Sequence, residues 1–299
     1  MKIAVIRFSA LGDIAASLPV LRALKYKPTI ITTKIGRELL KDEFDNFIIL
    51  KNKNILTVLK LILEIRKEKF DLIIDLQSND RSKFITKFSD TKEYVNSVGV
   101  NFNQRATFIF RDIVKKSSFD ILNKLNEKFV KKDKSYIVFN CGSSPKWQSK
   151  RLPMEKWKEI NTLLKEKYDL PIYLTGDKSE YTYLENISKL LDGNIINLAG
   201  KTSIQELKHF LTESFLTVST DSAAMHISAA QGTPTIGIFG ATNWIKSAPY
   251  GEWSIVVFDD TFYPNGVPPS KNSLEVKDYY KNLNISKDIK KISNYLGRL

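Results

Sequence analysis

The chain has 299 residues, enough for two domains of ordinary size, and its 42% hydrophobic and 26% charged residues are usual for a soluble globular protein. No apolar run approaches the roughly 20 residues of a membrane-spanning helix, and the first residues predict a strand instead of a signal peptide. The single cysteine, Cys141, excludes an intramolecular disulfide framework and suits a reducing compartment. We therefore expect a protein that is made and kept in the cytoplasm.

The formal net charge of +13 is concentrated in the first half of the chain. Residues 1–133 carry 26 basic and 16 acidic side chains, whereas residues 134–299 carry 20 and 17. This asymmetry suggests an anionic partner, either nucleic acid, an anionic membrane surface or a phosphorylated substrate; a lysine-rich surface that only aids solubility is the alternative. Because the chain has no RNA-binding aromatic signature, zinc-ligand spacing or basic zipper, no nucleic-acid partner is expected.

In the first half, short buried strands alternate with helices. From Arg81 to Lys132 the pattern is helical and basic. Before that point, the predicted strands and helices cover residues 2–8, 14–25, 29–33, 37–41, 47–50, 54–69 and 70–76. The helix over 54–69 is strongly amphipathic, and one side of it is predicted to consist of the apolar residues Ile55, Leu56, Leu59, Ile62 and Leu63.

The loop after the first strand, Ser9–Asp13, is the first candidate for chemistry. Gly12 permits a tight turn from strand to helix, and Asp13 places a carboxylate at the start of the helix. One interpretation is that Asp13 only caps the helix. The other is that it belongs to a functional site, because open α/β sheets place their sites at the carboxyl ends of strands.

The polar, non-periodic stretch Lys131–Lys134 predicts a linker, after which a second series of strands and helices begins. Its predicted strands cover 136–140, 170–174, 195–198, 215–218 and 235–239, followed by an irregular loop over 259–270 and a terminal helix over 285–296. Alternating strands and helices imply parallel sheets with right-handed crossovers. The predicted fold class is therefore α/β, with Rossmann-like domains over 1–133 and 134–299 facing each other across a cleft, and the terminal helix is a candidate to pack back on the first domain.

The segment Leu216–Gly240, LTVSTDSAAMHISAAQGTPTIGIFG, predicts a strand, a turn, a helix and a second strand. The helix start after Asp221 and Ser222 offers unpaired backbone N–H groups and the positive end of the helix dipole, which suit a phosphate or pyrophosphate. An ordinary βαβ unit with a capped helix is the alternative. Near another strand end, Ser143 and Ser144 offer donors and Lys150 a cation for phosphate oxygens.

Several familiar sites are absent from the sequence. The full dinucleotide-binding glycine pattern and the phosphate-loop pattern GxxxxGK[ST] do not occur, which argues against a dehydrogenase and an ATPase. His209 and His226 are the only histidines, so a His-based zinc site or a Cys–His pair has few ligands. His209 is interpreted as structural, and His226 either as a phosphate contact or as a residue that packs its helix.

Short motifs spread along the chain closely resemble those of the lipopolysaccharide heptosyltransferase family. They begin with IRFSALGDI at Ile6–Ile14 and end near Pro249–Gly251. Between these lie GSS at Gly142–Ser144, KRLP at Lys150–Pro153, LAGKTS at Leu198–Ser203, TDS at Thr220–Ser222, Met225–His226 and GTP at Gly232–Pro234. The resemblance implies the two-domain glycosyltransferase-B fold and an inverting glycosyltransferase without an obligatory cofactor or metal. It also implies ADP-heptose as donor and the inner core on lipid A as acceptor, at the inner face of the cytoplasmic membrane.

The resemblance also implies roles for individual residues. Asp13 would be the base that deprotonates the acceptor hydroxyl, and Lys150 would stabilise the departing diphosphate. Donor contacts are expected from Ser143, Ser144, Gly176, Glu180, Thr202, Asp221, Ser222 and His226. A further expectation comes from the charge asymmetry and not from the resemblance. It is that basic residues of the first half contact the acceptor phosphates and the anionic inner leaflet: Arg81, Lys83, Arg105, Arg111, Lys115 and Lys116.

The sequence departs from the family pattern at three places. Ala223 stands where the family usually has glycine, and its methyl group would restrict how closely a diphosphate approaches. Ala241 replaces a common proline, and Asn243–Trp244 replaces a frequent Asp-Pro. Two alternatives therefore stay open: the same fold with a different nucleotide sugar, and a non-catalytic Rossmann protein that binds nucleotides or nucleic acid.

Overall fold

The computed structural model describes residues 1–126, 129–130 and 132–287. The chain divides into two compact units, Met1–Asn126 (unit 1) and Glu127–Leu299 (unit 2). The division lies a few residues before the predicted linker, Lys131–Lys134. Most of the predicted terminal helix, over 285–296, falls outside the described residues.

Unit 1 is built on a parallel five-stranded sheet with the strand order β3-β2-β1-β4-β5. The strands are β1 (Ile3–Ile6), β2 (Thr29–Thr32), β3 (Phe47–Ile49), β4 (Leu72–Asp75) and β5 (Glu93–Val95). The helices are α1 (Leu11–Ala23), α2 (Lys34–Leu40), α3 (Ile55–Glu68), α4 (Asp80–Lys87) and α5 (Ala106–Val114). Residues of β1 and β4 are buried on both faces of the sheet, which explains their nearly continuous apolar sequence.

Unit 2 contains a parallel six-stranded sheet with the order β11-β10-β9-β6-β7-β8. Its strands are β6 (Ile137–Asn140), β7 (Ile172–Leu174), β8 (Ile195–Asn197), β9 (Leu216–Thr220), β10 (Thr235–Phe239) and β11 (Ser254–Phe258). Its α-helices are α6 (Met154–Tyr168), α7 (Tyr181–Ser188), α8 (Ile204–Glu213) and α9 (Ala223–Ala230), with short 3₁₀ segments at Pro145–Lys150 and Lys178–Glu180. Its core is mostly aliphatic and includes several aromatic residues; the rings of Phe139 and Trp157 lie 5.1 Å apart.

In each sheet the chain starts at a central strand, builds towards one edge and then returns to build towards the other. The order reverses between β1 and β4 in unit 1 and between β6 and β9 in unit 2. Crossovers on either side of such a reversal leave a crevice at the carboxyl ends of the two strands, and parallel α/β proteins bind ligands there. The two reversals therefore define where a site belongs in each unit.

The structure corrects the helical interpretation of the stretch from Arg81 to Lys132. That stretch contains the helices α4 and α5, but β5 lies between them and pairs with the edge of β4. A strand of three residues is too short to display a recognisable alternation, so its hydrogen bonds to β4 are what define it. Similarly, β11 extends β10 at the opposite edge of the sheet in unit 2, and the sequence pattern did not predict it.

The predicted apolar side of α3 is not the side that packs on the sheet, except at Ile62. The residues that face the core are Val58, Leu61, Ile62 and Ile65, whereas the exposed ones are Ile55, Leu56, Leu59 and Leu63. Apolar residues occupy more than half of the helix circumference, so periodicity alone does not select the face that packs on the sheet. No helix in the described part of the chain is long and apolar enough to cross a membrane.

Candidate active site

The first crevice lies at the carboxyl ends of β6 and β9, and polar side chains hold its two strands together. Ser222, directly after β9, donates its hydroxyl to Oδ1 of Asn140 at the end of β6, at 2.8 Å. Asn140 in turn donates to the carbonyl of Thr175, at 2.9 Å, at the end of β7. The hydroxyl of Thr220 donates to the carbonyl of Gly142 at 3.2 Å. Three strand ends are thus fixed relative to one another before any ligand binds.

Lys150 and Asp221 form an ion pair at the centre of this crevice. The ammonium Nζ lies 2.8 Å from Oδ2 of Asp221 and 3.4 Å from its carbonyl oxygen. The two side chains are 17% and 9% exposed, so the pair is shielded from water more than a surface ion pair. The Trp147 ring centroid lies 4.9 Å from the same ammonium group. This arrangement presents one cation and one carboxylate side by side, which suits a phosphate next to a sugar hydroxyl.

The loop after β6 carries both predicted serines, but the two differ. The hydroxyl of Ser143 donates to the carbonyl of Trp147 at 2.7 Å, and its own carbonyl accepts from Nη2 of Arg151 at 3.0 Å. Ser144 precedes the 3₁₀ segment Pro145–Lys150 and is exposed. Ser143 therefore shapes the loop that carries Lys150, while Ser144 keeps its hydroxyl at the surface.

Glu180 lies behind this loop and is almost fully buried. Its Oε2 accepts the N–H of Asp177 at 2.8 Å, and within the described part of the chain its buried Oε1 has no hydrogen-bond partner. Burial raises the pKa of this carboxyl group, and the nearby Asp177 carboxylate adds to the effect. A Cβ atom at Gly142 would lie 2.1 Å from Oε1, and one at Gly176 would lie 2.8 Å from Oε2. The two glycines thus make room for the carboxylate.

The helix α9 starts in the crevice, and Ser222 is its N-cap residue. The Ser222 side chain makes no capping hydrogen bond, since its hydroxyl is directed to Asn140. Ser222 therefore does not provide the side-chain cap of the capped-helix alternative, and the first-turn N–H groups are not satisfied by it. His226, one turn along α9, is 8% exposed. Ala223 is half-buried in the first turn.

The loop after β8 joins the same end of the sheet. The N–H of Gly200 donates to the carbonyl of Gly176 at 3.0 Å, which ties this loop to the one after β7. Thr202 is half-buried, and Ser203 caps α8 through a hydrogen bond from the N–H of Glu206 at 3.2 Å. His209 on α8 is exposed and lies outside these loops.

The second crevice, in unit 1, contains Asp13. The helix α1 begins at Leu11, so Asp13 is a first-turn residue and not the N-cap. Its Oδ2 accepts the N–H of Ala10 at 3.1 Å and lies 2.6 Å from Nη2 of Arg7. The carboxylate is 44% exposed, whereas the Arg7 side chain is 9% exposed. The buried guanidinium group of Arg7 therefore orients the carboxylate of Asp13, which is exposed to solvent.

Arg7 is held by its surroundings in turn. Its Nη1 donates to the carbonyl of Leu76, and its guanidinium carbon lies 5.0 Å from the centroid of the Phe110 ring. Burial lowers the pKa of Arg7, while the carboxylates of Asp13 and Asp75 act in the opposite direction. Burial also raises the pKa of Asp75, which accepts hydrogen bonds from the N–H of Ser78 at 2.8 Å and from a nearby serine hydroxyl.

Sequence reasoning missed four residues that organise these crevices: Arg7, Asp75, Asn140 and Trp147. Arg7, Asp75 and Asn140 share a detectable signal, because each is a charged or amide residue at the end of an otherwise apolar strand. Such a residue must find a buried partner near the strand end. Trp147 gave no comparable signal.

The six basic residues predicted to meet phosphates do not form one uniform surface. Arg111 is paired with Asp112 at 2.8 Å, and the ammonium of Lys116 donates to the carbonyls of Asn96 and Val98. Arg105 precedes α5 as its N-cap residue. The remaining members are half-buried or exposed: Arg81, Lys83 and Lys115.

Comparison with known proteins adds to this geometry. The family model described as glycosyltransferase family 9 (heptosyltransferase) matches residues 114–266, just over half of the chain. The chain belongs to glycosyltransferase family 9. The protein is therefore a glycosyltransferase, and the match covers most of unit 2, including Lys150 and Asp221.

Similarity over most or all of the chain extends to relatives and to solved structures. Lipopolysaccharide heptosyltransferase 1 of Campylobacter coli is 28% identical over 297 residues, covering 83% of this chain and 86% of the relative. The family 9 glycosyltransferase structure from Veillonella parvula has a TM-score of 0.75 at 16% identity, covering 100% of this chain and 97% of that one. Escherichia coli ADP-heptose LPS heptosyltransferase II has a TM-score of 0.74 at 16% identity, covering 100% and 99%. The predicted fold class, two Rossmann-like domains of the glycosyltransferase-B type, is confirmed.

One of the three departures from the family pattern, Asn243–Trp244, has a structural explanation in this glycosyltransferase. Trp244 is buried and stacks on Phe258 with ring centroids 4.2 Å apart. The side chain of Asn243 accepts the N–H groups of Ile245 and Lys246, both at 3.1 Å, and so closes its own turn. Asn243 and Trp244 thus serve the packing and shape of the loop after β10.

Proposed function

We propose that this family 9 glycosyltransferase moves heptose from ADP-heptose to the inner core of lipopolysaccharide or lipooligosaccharide, with inversion at the anomeric carbon. The observation that carries the proposal is the Lys150–Asp221 ion pair beside the uncapped start of α9. Together these present a cation, backbone N–H groups and a carboxylate at one strand-order reversal. The names of the C. coli and E. coli proteins support heptose and ADP-heptose as the sugar and the donor.

In the proposed donor complex, the diphosphate lies at the first turn of α9 and against Lys150, where charge-assisted hydrogen bonds stabilise it. Asp221 accepts hydrogen bonds from sugar hydroxyls. Glu180, whose Oε1 lacks a partner among the described residues, accepts from the ribose beside Gly176. Thr202 flanks the adenine, and Ser144 and His226 add donors for phosphate oxygens.

Asp13 is the proposed base. Its exposed carboxylate takes the proton of the acceptor hydroxyl as that oxygen attacks the anomeric carbon on the face opposite the diphosphate. The bond between this carbon and the phosphate oxygen breaks, and its electron pair stays on the departing ADP. Lys150 and the N–H groups of α9 stabilise the negative charge that develops there. Each step uses groups that the chain itself supplies.

We further propose that the acceptor is presented at the inner face of the cytoplasmic membrane, because an inner core attached to lipid A is held in a bilayer. The excess of basic residues in 1–133 supports an anionic surface as partner. Arg81, Lys83 and Lys115 are the predicted cations with exposed or half-buried side chains for this purpose. Arg105, Arg111 and Lys116 are part of the same proposal.

The test is a transfer assay with purified protein, ADP-heptose and heptose-free inner core isolated on lipid A. We expect the acceptor mass to rise by one heptosyl residue and the anomeric configuration of the product, read by NMR, to be inverted. UDP-glucose, ADP-glucose and ADP-mannose serve as competing donors. Faster transfer from any of these would replace heptose in the proposal, and ADP release without an acceptor product would overturn it.

A different donor within the same family is the second candidate, and one observation favours it. Ala223 adds a methyl group to the first turn of α9, where the diphosphate is proposed to lie. An Ala223→Gly variant tests its effect: tighter ADP binding with unchanged donor preference leaves ADP-heptose as the donor. A change in the preferred sugar would assign Ala223 to donor selection.

A further inference from the structure

The helix α3 carries a stripe of large aliphatic residues whose side chains are largely exposed. Ile55, Leu56, Leu59 and Leu63 have between 44% and 67% of their surface exposed. Their spacing places them along one side of the helix, next to the face that packs on the sheet. Single exposed leucines are ordinary, but a row of four on one helix is an unusual apolar surface.

The helix α4 adds two aromatic rings beside this stripe. Phe84 and Phe88 are 38% and 41% exposed, and their ring centroids lie 4.7 Å apart. The side chain of Arg66, near the end of α3, donates to the carbonyl of Phe88 at 2.7 Å. This bond fixes the aromatic pair next to the end of α3. We call the combined surface the α3–α4 apolar face: Ile55, Leu56, Leu59, Leu63, Phe84 and Phe88.

Exposed lysines surround the α3–α4 apolar face. Glu64 and Glu68 are the acidic residues of α3, and Glu68 is engaged by the ammonium of Lys2 at 2.6 Å. None of the surrounding lysines forms an ion pair with another residue that the structure describes. They precede α3, lie on its outer side or lie on α4: Lys51, Lys53, Lys60, Lys67, Lys83 and Lys87.

We propose that the α3–α4 apolar face is the surface with which this protein docks on an anionic lipid bilayer. Helices that lie in a membrane interface combine large aliphatic and aromatic residues on one side with lysines along the edge. The apolar side chains enter the boundary between headgroups and acyl chains, and the lysines meet anionic headgroups. A water-soluble protein partner would not by itself call for a set of exposed lysines beside an apolar face.

This inference deepens the proposed function, because it names the surface that brings the enzyme to a membrane-held acceptor. It also assigns the main contribution to residues other than the basic side chains predicted from the sequence. Lys116 and Arg111 are engaged within unit 1, whereas the apolar residues of α3 are directed to solvent. Membrane docking should therefore depend on leucines and phenylalanines, and not only on charge.

The first experiment measures co-sedimentation of the full chain with phosphatidylglycerol-containing vesicles and with phosphatidylcholine vesicles. We expect the double variant Leu56→Glu/Leu63→Glu to lower binding to anionic vesicles by about tenfold or more, since it removes apolar contacts and adds like charge. The matched control is Val267→Glu/Leu274→Glu, which places the same charges at equally exposed positions of unit 2 and should leave binding unchanged. Phe84→Ser/Phe88→Ser provides an independent reduction without a change in charge.

A site-specific probe gives the second readout. Cys141, the single cysteine of the sequence, is fully buried, and burial raises the pKa of its thiol, so a polarity-sensitive thiol dye should react at an introduced cysteine. The dye on Leu63→Cys should shift its emission to the blue when anionic vesicles are added. The same dye on Leu274→Cys should not respond. No shift at position 63, or equal shifts at both positions, would overturn the proposal.

Two further measurements separate this inference from the proposed function. Transfer to a delipidated, water-soluble inner-core acceptor should be unchanged in Leu56→Glu/Leu63→Glu, because docking is not needed there. Loss of that activity would show that the stripe serves the fold or the reaction instead. Light scattering tests whether a second copy of this chain covers the face instead. If the wild type is a dimer that does not bind vesicles, and Leu56→Glu/Leu63→Glu is a monomer, the proposal is overturned.

Discussion

The two strand-order reversals of this protein each carry a carboxylate paired with a cation, but the pairs are arranged in opposite ways. In unit 1 the cation Arg7 is 9% exposed and the carboxylate of Asp13 is 44% exposed, with 2.6 Å between the nearest atoms. In unit 2 Lys150 and Asp221 are 17% and 9% exposed and lie 2.8 Å apart. One pair presents its carboxylate, whereas the other holds both charges inside the crevice.

The difference indicates what each pair is suited to do. In the Arg7–Asp13 pair, the buried cation holds one carboxylate oxygen of Asp13. The other oxygen stays available to accept a proton from a substrate, which suits a base. A shielded pair is suited to binding, because electrostatic interactions with a ligand are stronger away from water. Its cation and carboxylate already neutralise each other, so a phosphate and a sugar hydroxyl can replace part of that interaction without leaving a buried charge unpaired.

The strongest expected effect tests the exposed carboxylate. Asp13→Asn should reduce turnover by about 10²–10⁴-fold, since the amide does not accept the acceptor proton, and should leave the Kd for ADP unchanged. Steady-state rates and calorimetric ADP titrations measure the two quantities. Asp112→Asn is the matched control, because Asp112 is also a partly exposed carboxylate of unit 1 paired with an arginine. Wild-type turnover in Asp13→Asn would remove this residue from the reaction.

A second variant tests the shielded pair. Lys150→Ala should weaken ADP binding by about 10- to 150-fold, corresponding to roughly 1.5–3 kcal/mol for a charge-assisted hydrogen bond. It should also lower the free energy of unfolding, because Asp221 loses its ion-pair partner in the crevice. Lys146→Ala is the control, since that exposed lysine lies near the same Trp147 ring, at 5.9 Å from its centroid. Unchanged ADP affinity would show that Lys150 contacts something other than phosphate.

A third variant tests whether the buried cation positions Asp13. Arg7→Met should reduce turnover by about tenfold or more through misplacement of the carboxylate, with ADP affinity unchanged. Arg7→Lys should restore only part of the rate, because one ammonium group does not reproduce the two fixed directions of the guanidinium towards Leu76 and Asp13. Turnover is compared at a temperature well below the measured Tm of each variant. Equal rates for all three proteins would limit Arg7 to a role in stability.

The smallest expected effect concerns Glu180 and pH. Burial raises its pKa above the ordinary value of 4.5, so the native chain binds the proton more tightly than the unfolded chain. The free energy of unfolding therefore falls as the pH rises above about 4.5, and Glu180→Gln should lack this contribution. In thermal unfolding from pH 4.5 to 7, the Tm of Glu180→Gln minus the Tm of the wild type should increase as the pH rises. A constant difference between the two would contradict the shifted pKa.

The sequence by itself determined the α/β class, most strand positions and the membership of the family, because apolar runs and short motifs are local properties. The motifs that named Asp13, Lys150 and Asp221 lie at strand ends, and each of these residues is found at a strand-order reversal. The ion pairs themselves were not predictable. Lys150 and Asp221 are far apart along the chain, and only the adjacency of β6 and β9 brings them together.

The tertiary structure alone decided which side of each element is buried. The sequence of α3 is apolar over more than half of its circumference, and packing on the sheet selected Val58, Leu61, Ile62 and Ile65 for the core. That choice left Leu56, Leu59 and Leu63 exposed. The fold also decides the partners of Arg7 at the end of β1: Asp13 comes from α1, and the carbonyl of Leu76 comes from the loop after β4. Burial and pairing depend on residues distant in sequence, so a local pattern gives the candidates and the fold selects among them.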